Sequence, residues 1–193
     1  MIPTLPATLV TVTTLLAAGA APSQEAKYRI DPSHTAVVFE VKHFGVSTTR
    51  GRFDREEGVL IIDKTAKTGK VEIHIDMTSV NTGLADVDAR LQGRDFFNVE
   101  HFPKSRFVGD EVSFNGDKLV SVSGTLVMMG KSVPVTLNAI SYGCYNHPEL
   151  QHEVCGGDFE ATLQRSAWGL SFGLPGVAPD SVRLLIQVEA IKR

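Results

Sequence analysis

Lys70–Met77, KVEIHIDM, decides the fold class. Val71, Ile73, Ile75 and Met77 alternate with Lys70, Glu72, His74 and Asp76, which is the pattern of a strand with one face in an apolar core and the other in water. Toward the N-terminus, Val59, Leu60, Ile61 and Ile62 within Glu57–Asp63 form a strand that is apolar on both faces, and Phe53 lies on the strand before it. A polar turn between Gly45 and Gly51 separates these from a first long strand. There Val37, Phe39, Val41 and His43 share the inward face, while Val38, Glu40, Lys42 and Phe44 share the outward one.

Toward the C-terminus, Arg106–Phe114 reads as a strand turning at Asn115-Gly116, a strong hairpin signal. The next strand, Leu119–Met129, places Val120, Val122, Leu126 and Met128 inward. Val133, Val135, Leu137 and Ala139 follow on another, whose Pro134 requires an edge or a strand start. Phe159, Ala161, Leu163 and Arg165 form a further inward set, Trp168 and Phe172 lie in a glycine-rich passage, and Val182, Leu184, Ile186, Val188 and Ala190 close the pattern. About eight strands joined by hairpin turns suit an all-β fold, an eight-stranded antiparallel lipocalin-like barrel, because closure removes exposed edges and leaves room for one small ligand. A β-sandwich would show the same alternation.

One stretch interrupts the strands: Asn81–Phe107, NTGLADVDARLQGRDFFNVEHFPKSRF. Leu84, Val87 and Leu91 recur on one face of a short helix, Asp86, Asp88 and Arg90 point elsewhere, Asn81 or Thr82 can cap the first turn, and Gly93 offers a stop. Phe96, Phe97, Phe102 and Phe107 follow. The stretch reads as a helical lid over the barrel, whose rings either plug the core or close a ligand cavity.

Residues 1–20 carry no charged side chain, and the apolar run Leu9–Ala18 ends in Ala18-Gly19-Ala20, as a secretory signal peptide cut after Ala20 would. Residues 21–193 then form one domain, with a periplasmic or secreted location and no stable membrane insertion. The formal charge is -3, so there is no basic excess for nucleic acid. Cys144 and Cys155 are the only cysteines, and in an exported chain they suit one disulfide. Cys144, His147, His152 and Cys155 also have the ligand types and spacing of a tetrahedral zinc site, which keeps a metal- or redox-linked binding module as an alternative. Asp31, Ser33 and His34 suggest a catalytic triad but sit within one turn without a nucleophile elbow, so no catalytic residue and no enzymatic activity is expected.

Several blocks resemble one family. The run DPSHTAVVFEVKHFGVS at Asp31–Ser47, then GRF at Gly51–Phe53, SVNTG at Ser79–Gly83, DFFNVEHFPKSRF at Asp95–Phe107, GTLVMMGKSVPV at Gly124–Val135, RSAWGL at Arg165–Leu170 and PDSVRLLI at Pro179–Ile186 are similar, in order, to the YceI-like family of exported polyisoprenoid-binding proteins. Trp168 departs from the phenylalanine that members often have, and the Cys144–Cys155 insertion belongs to some members only. The resemblance implies a long-chain isoprenoid or other apolar amphiphile, of polyprenyl or quinone type, held in an apolar tunnel with no cofactor.

The strand parities then nominate Phe39, Val41, Phe53, Ile73, Ile75, Phe107, Leu126, Met128, Leu163, Ile186 and Trp168 for the tunnel wall, with Phe96 and Phe97 at the lid. His43 and Arg165, polar on inward sets, are candidates for a head group or a deeply placed carbonyl. Outward Val38, Phe44, Leu185 and Ile191 would suit a homodimer face.

Overall fold

The structure, a computed structural model, describes residues 24–193. The expected signal peptide therefore lies outside the described residues. The strands are β1 (Ala26–Ile30), β2 (Ala36–His43), β3 (Ser47–Phe53), β4 (Glu56–Asp63), β5 (Thr68–Asp76), β6 (Val80–Asn81), β7 (Lys104–Asn115), β8 (Lys118–Met128), β9 (Lys131–Ala139), β10 (Gly143–Asn146), β11 (Glu153–Gln164) and β12 (Ser181–Lys192). The helix α1 spans Ala85–Gln92, and single 3₁₀ turns occupy Met77–Ser79 and Arg165–Trp168.

All pairings are antiparallel, and β11, β9, β8, β7, β5, β4, β1 and β12 form a ring that β11 and β12 close on each other. The remaining strands extend it. β1 and β2 pair successive parts of β12, while β3 and β4 pair β2 and β1, so each couple is one bent strand interrupted by a few residues. The two strands expected around Phe53 and at Glu57–Asp63 are therefore one wall of an eight-stranded barrel. Its interior holds the alternating sets: Val37, Phe39, Phe53, Ile73, Ile75, Phe107, Leu126, Leu163 and Ile186 are all buried.

Three local features depart from simple alternation. Ser113 faces Ser121 while Phe114 faces Leu119, so Val120 is an extra residue in β8. That bulge turns Leu119 inward and leaves Val120 outside, reversing the parity expected for the start of this strand. Second, β9 meets β11 only at Ala139 and Asn138, so the first half of β9 is a free edge. Pro134 sits in that half with its missing donor harmless, and the Arg165–Trp168 turn packs against the same strand. Third, the ring of Phe39 lies across Gly51, where a Cβ would approach it to 2.2 Å. Only glycine permits that crossing.

Cys144 and Cys155 face each other across the β10–β11 hairpin and are joined in a disulfide. Both sulfurs are thereby used, so the zinc alternative falls. His147 instead shapes the loop, its Nδ1 accepting the N–H groups of Glu149 and Leu150 at 3.2 Å. Among the outward apolar residues, Val38 and Leu185 pair across β2 and β12 and are half-buried, while Phe44 is exposed.

Glu56 escaped the sequence reading. It faces the interior opposite Ile75, is 6% exposed, and accepts the Val37 N–H at 3.2 Å. Burial pushes its carboxyl above the usual carboxylate range, with the Val37 N–H opposing. An acid raised in this way binds more protons folded than unfolded between its ordinary and folded values, so stability is lost as pH rises through that window. Glu56→Gln should therefore raise the melting temperature at neutral pH, at about 2–4 °C per kcal/mol for a domain of this size, and change it little near pH 4. Thermal melts at both pH values check this; destabilisation at neutral pH would contradict it. Replacing both cysteines with serine should cost about 2–3 kcal/mol in denaturant unfolding.

Candidate functional site

The barrel is hollow. A cavity of about 640 Å³ opens at the end that carries the β2–β3 turn, α1 with the segment after it, and the 169–180 loop. Close-packed interiors hold few voids larger than a water molecule. Sealed and left empty, a void of that size would cost about 15 kcal/mol on the scale measured for engineered core cavities, more than most domains have to lose. The space is therefore a feature of the fold and not loose packing.

Strand parity builds its wall. β2 supplies Val37, Phe39 and Val41, β3 supplies Phe53, and β5 supplies Ile73 and Ile75. Phe107, Leu126, Met128, Leu163 and Ile186 continue the wall around β7, β8, β11 and β12. The rings form a series: Phe39 lies 6.0 Å from Phe53, and Phe53 lies 5.6 Å from Phe97 of the segment after α1. Such offset, tilted pairs hold their rings in place while presenting an apolar surface. Deeper in the barrel a second pocket of about 90 Å³ lies among Leu60, Ile62, Val112 and Phe114. Ile73, Leu137 and Ile186 border both spaces and form a waist between them.

The lid differs in detail from its expected form. Neither Asn81 nor Thr82 caps α1; Asp88 in its first turn reaches back instead, its Oδ1 accepting from the N–H and hydroxyl of Thr82 at 2.7 Å each. Asn81 accepts the Gly83 N–H and shapes the approach. Gly93 ends the helix, as expected. Leu84, Val87 and Leu91 reach the cavity, and so does Arg90, which the helical face had placed elsewhere. Its guanidinium lies 5.0 Å from the Phe172 ring and 5.9 Å from Phe96, and the two rings are 5.3 Å apart. The stack ties lid to loop by cation–π contact. Phe102 is not in the wall; it packs over the turn at Gly130.

The two polar candidates have different settings. His43 ends β2 at the rim, exposed, with its ring edge-on to Phe44 at 4.7 Å, and it lines the mouth of the cavity. Arg165 is 8% exposed and lies in the wall. It donates from Nε to the Pro179 carbonyl at 3.0 Å, from Nη1 to Leu170 at 2.6 Å and from Nη2 to Ala178 at 3.2 Å, which gathers the whole 169–180 loop around one cation. Burial pulls its pKa below the ordinary value, and Asp180 opposes this. Trp168, 2% exposed, donates its indole N–H to the Leu126 carbonyl at 3.2 Å and so ties the turn that precedes this loop to β8. The wall residues Leu170, Phe172 and Val177 were not legible in the sequence, because their loop has no periodicity.

The Asp31–Ser33–His34 turn lies outside the cavity wall. Its bonds are those of a turn: Ser33 gives its hydroxyl proton to Asp31 Oδ1 at 2.6 Å, and both Ser33 and Asp31 meet the same ring nitrogen of His34, Nδ1. A relay needs the serine and the acid on opposite ring nitrogens.

The YceI-like domain model matches residues 28–190. A UPF0312 protein of Pseudomonas paraeruginosa strain PA7 is 34% identical over 180 residues, which is 93% of each chain. Among solved structures, the Campylobacter jejuni YceI protein superposes with a TM-score of 0.65 at 24% identity, over 79% of this chain and 90% of that one. A polyisoprenoid-binding domain from Saccharophagus degradans superposes with a TM-score of 0.59 at 16% identity, over 86% and 98%. This chain belongs to the YceI-like family.

Trp168→Phe should leave the Leu126 carbonyl without its donor and enlarge the cavity, costing about 1–3 kcal/mol in denaturant unfolding. An unchanged midpoint would mean that the indole bond contributes nothing.

Proposed function

We propose that this YceI-like barrel binds the long isoprenoid tail of an amphiphilic lipid, of polyprenyl or quinone type, in its central cavity after export, and performs no chemistry on it. The observation that carries this reading is the cavity itself, about 640 Å³ with a wall mostly of aliphatic and aromatic side chains. Burying a prenyl tail at about 25 cal/mol per Å² of apolar surface needs no directional contact, so shape and length set selectivity. The Saccharophagus neighbour, a polyisoprenoid-binding domain, supports the ligand class. The disulfide and the uncharged apolar segment ahead of residue 21 support an oxidising, exported location. Carriage, storage and protection of such a lipid are all served by one physical act, removing an insoluble tail from water.

Native mass spectrometry of the protein purified from its exported compartment, followed by organic extraction, should find a stoichiometric long-chain isoprenoid. Leu163→Trp, which fills the cavity from its wall, should weaken binding of a polyprenol or ubiquinone about tenfold or more, equivalent to roughly 1.4 kcal/mol. A protein that carries no lipid and takes up neither ligand on titration would remove the proposal.

A further inference from the structure

The ligand's head group can be narrowed from the charges around the cavity, and this step rests on the lipid-binding reading above. The whole chain has 22 acidic and 19 basic residues, yet every charged side chain among the wall residues is basic. They are Lys42, Arg50, Arg90 and Arg165, and no aspartate or glutamate among the described residues joins them. All four lie toward the mouth, whereas the waist of Ile73, Leu137 and Ile186 is apolar. Composition alone would have mixed the signs.

These cations are poorly compensated. Arg165 is buried and forms no ion pair among the described residues; Asp180, the nearest acid acting on it, spends both oxygens on the backbone N–H and hydroxyl of Ser166. Three of the five N–H groups of the Arg165 guanidinium are given to loop carbonyls, which leaves two. Arg90 also has no carboxylate partner among the described residues. Its guanidinium carbon lies 5.0 Å from the Phe172 ring and 5.9 Å from the Phe96 ring, contacts that use none of its N–H groups on a carboxylate. Lys42 is likewise without an ion pair among the described residues, and only Arg50 is bonded to an acid, through its Nε to Glu40 at 2.7 Å. The Phe44 N–H donates to the Val177 carbonyl at 2.8 Å, which fixes the Lys42 end of β2 against the loop that Arg165 gathers.

We infer that the mouth selects an amphiphile with an anionic head group, a phosphate or a carboxylate, over the same tail ending in a neutral group. The tail enters toward the waist formed by Ile73, Leu137 and Ile186, and the anion stays at the rim, where it offsets charges that the protein leaves unpaired. Arg165 is buried, and a ligand anion lowers the cost of its charge in a way an alcohol or quinone carbonyl does not, while Lys42 and Arg90, exposed at the rim, add an attraction that salt screens. Charge-assisted bonds to a guanidinium are also about twice as strong as neutral ones.

The test uses matched tails on the full-length mature protein. Geranylgeranyl phosphate is compared with geranylgeraniol, and palmitate with palmityl alcohol, each displacing a fluorescent apolar probe at low and at high salt. Wild type should favour the anion of each pair by about tenfold or more, with the ratio falling as salt screens the rim. The ratio should collapse toward one in the Lys42→Gln, Arg90→Gln double variant and be partly restored by Arg90→Lys. Preference in both pairs assigns the site to anions in general, and preference in the phosphate pair alone assigns it to prenyl phosphates. Equal affinity for anion and alcohol, or a ratio that the double variant does not change, overturns the anionic head group while leaving lipid binding intact. Failure of all four compounds to displace the probe removes lipid binding itself.

Discussion

Closure of the sheet is the constraint on which the rest depends. β12 pairs along its length with β11 on one side and with β1 and β2 in succession on the other, so the last strand joins the first and the ring has no end. An open sheet would leave two rows of unpaired backbone groups, and a ring leaves none except where a seam is incomplete. Here one seam is incomplete, between β9 and β11, and the Arg165–Trp168 turn packs against β9. Arg165 gathers the carbonyls of Leu170, Ala178 and Pro179, and Trp168 reaches the Leu126 carbonyl. Those two residues therefore shape the mouth, one by gathering its loop and the other by fixing the turn before that loop to β8.

The hollow follows from the same closure. An eight-stranded ring is just wide enough for side chains to meet across it or to leave a space, and the choice rests on which residues point inward. Here large rings lie along the wall and not across the axis. Gly51 lets Phe39 lie over β3, and the series from Phe39 through Phe53 to Phe97 runs toward the lid. The interior stays open near the mouth and narrows at Ile73, Leu137 and Ile186. Glu56 is a buried acid in a mostly apolar interior and accepts one backbone N–H, from Val37.

Much of this was legible in advance because a strand writes its burial in period two. Val71, Ile73 and Ile75 could be assigned inward from the sequence, as could Phe159, Ala161 and Leu163, and each set packs in the barrel core. The reading failed where that period breaks. The bulge at Val120 inserts one residue and flips the parity before it. Arg90 was assigned by helical phase to the outer side of α1, yet its long side chain reaches the Phe96 and Phe172 rings at the mouth. Helical phase fixes where a Cβ points, not where a guanidinium four bonds further ends.

The sequence by itself determined the all-β class, the strand count to within one bent strand, the pairing of its two cysteines as the favoured option, and the residues that face inward. Each is a local or near-local property, set by alternation, turn chemistry and composition. Only the tertiary structure decided that the inward faces enclose a space, that Arg165 gathers the loop at the mouth while Trp168 reaches β8, and that Arg90 comes to lie against two touching rings. Those outcomes depend on contacts between segments distant in the chain, and no periodicity within a segment encodes how far it stands from the wall opposite.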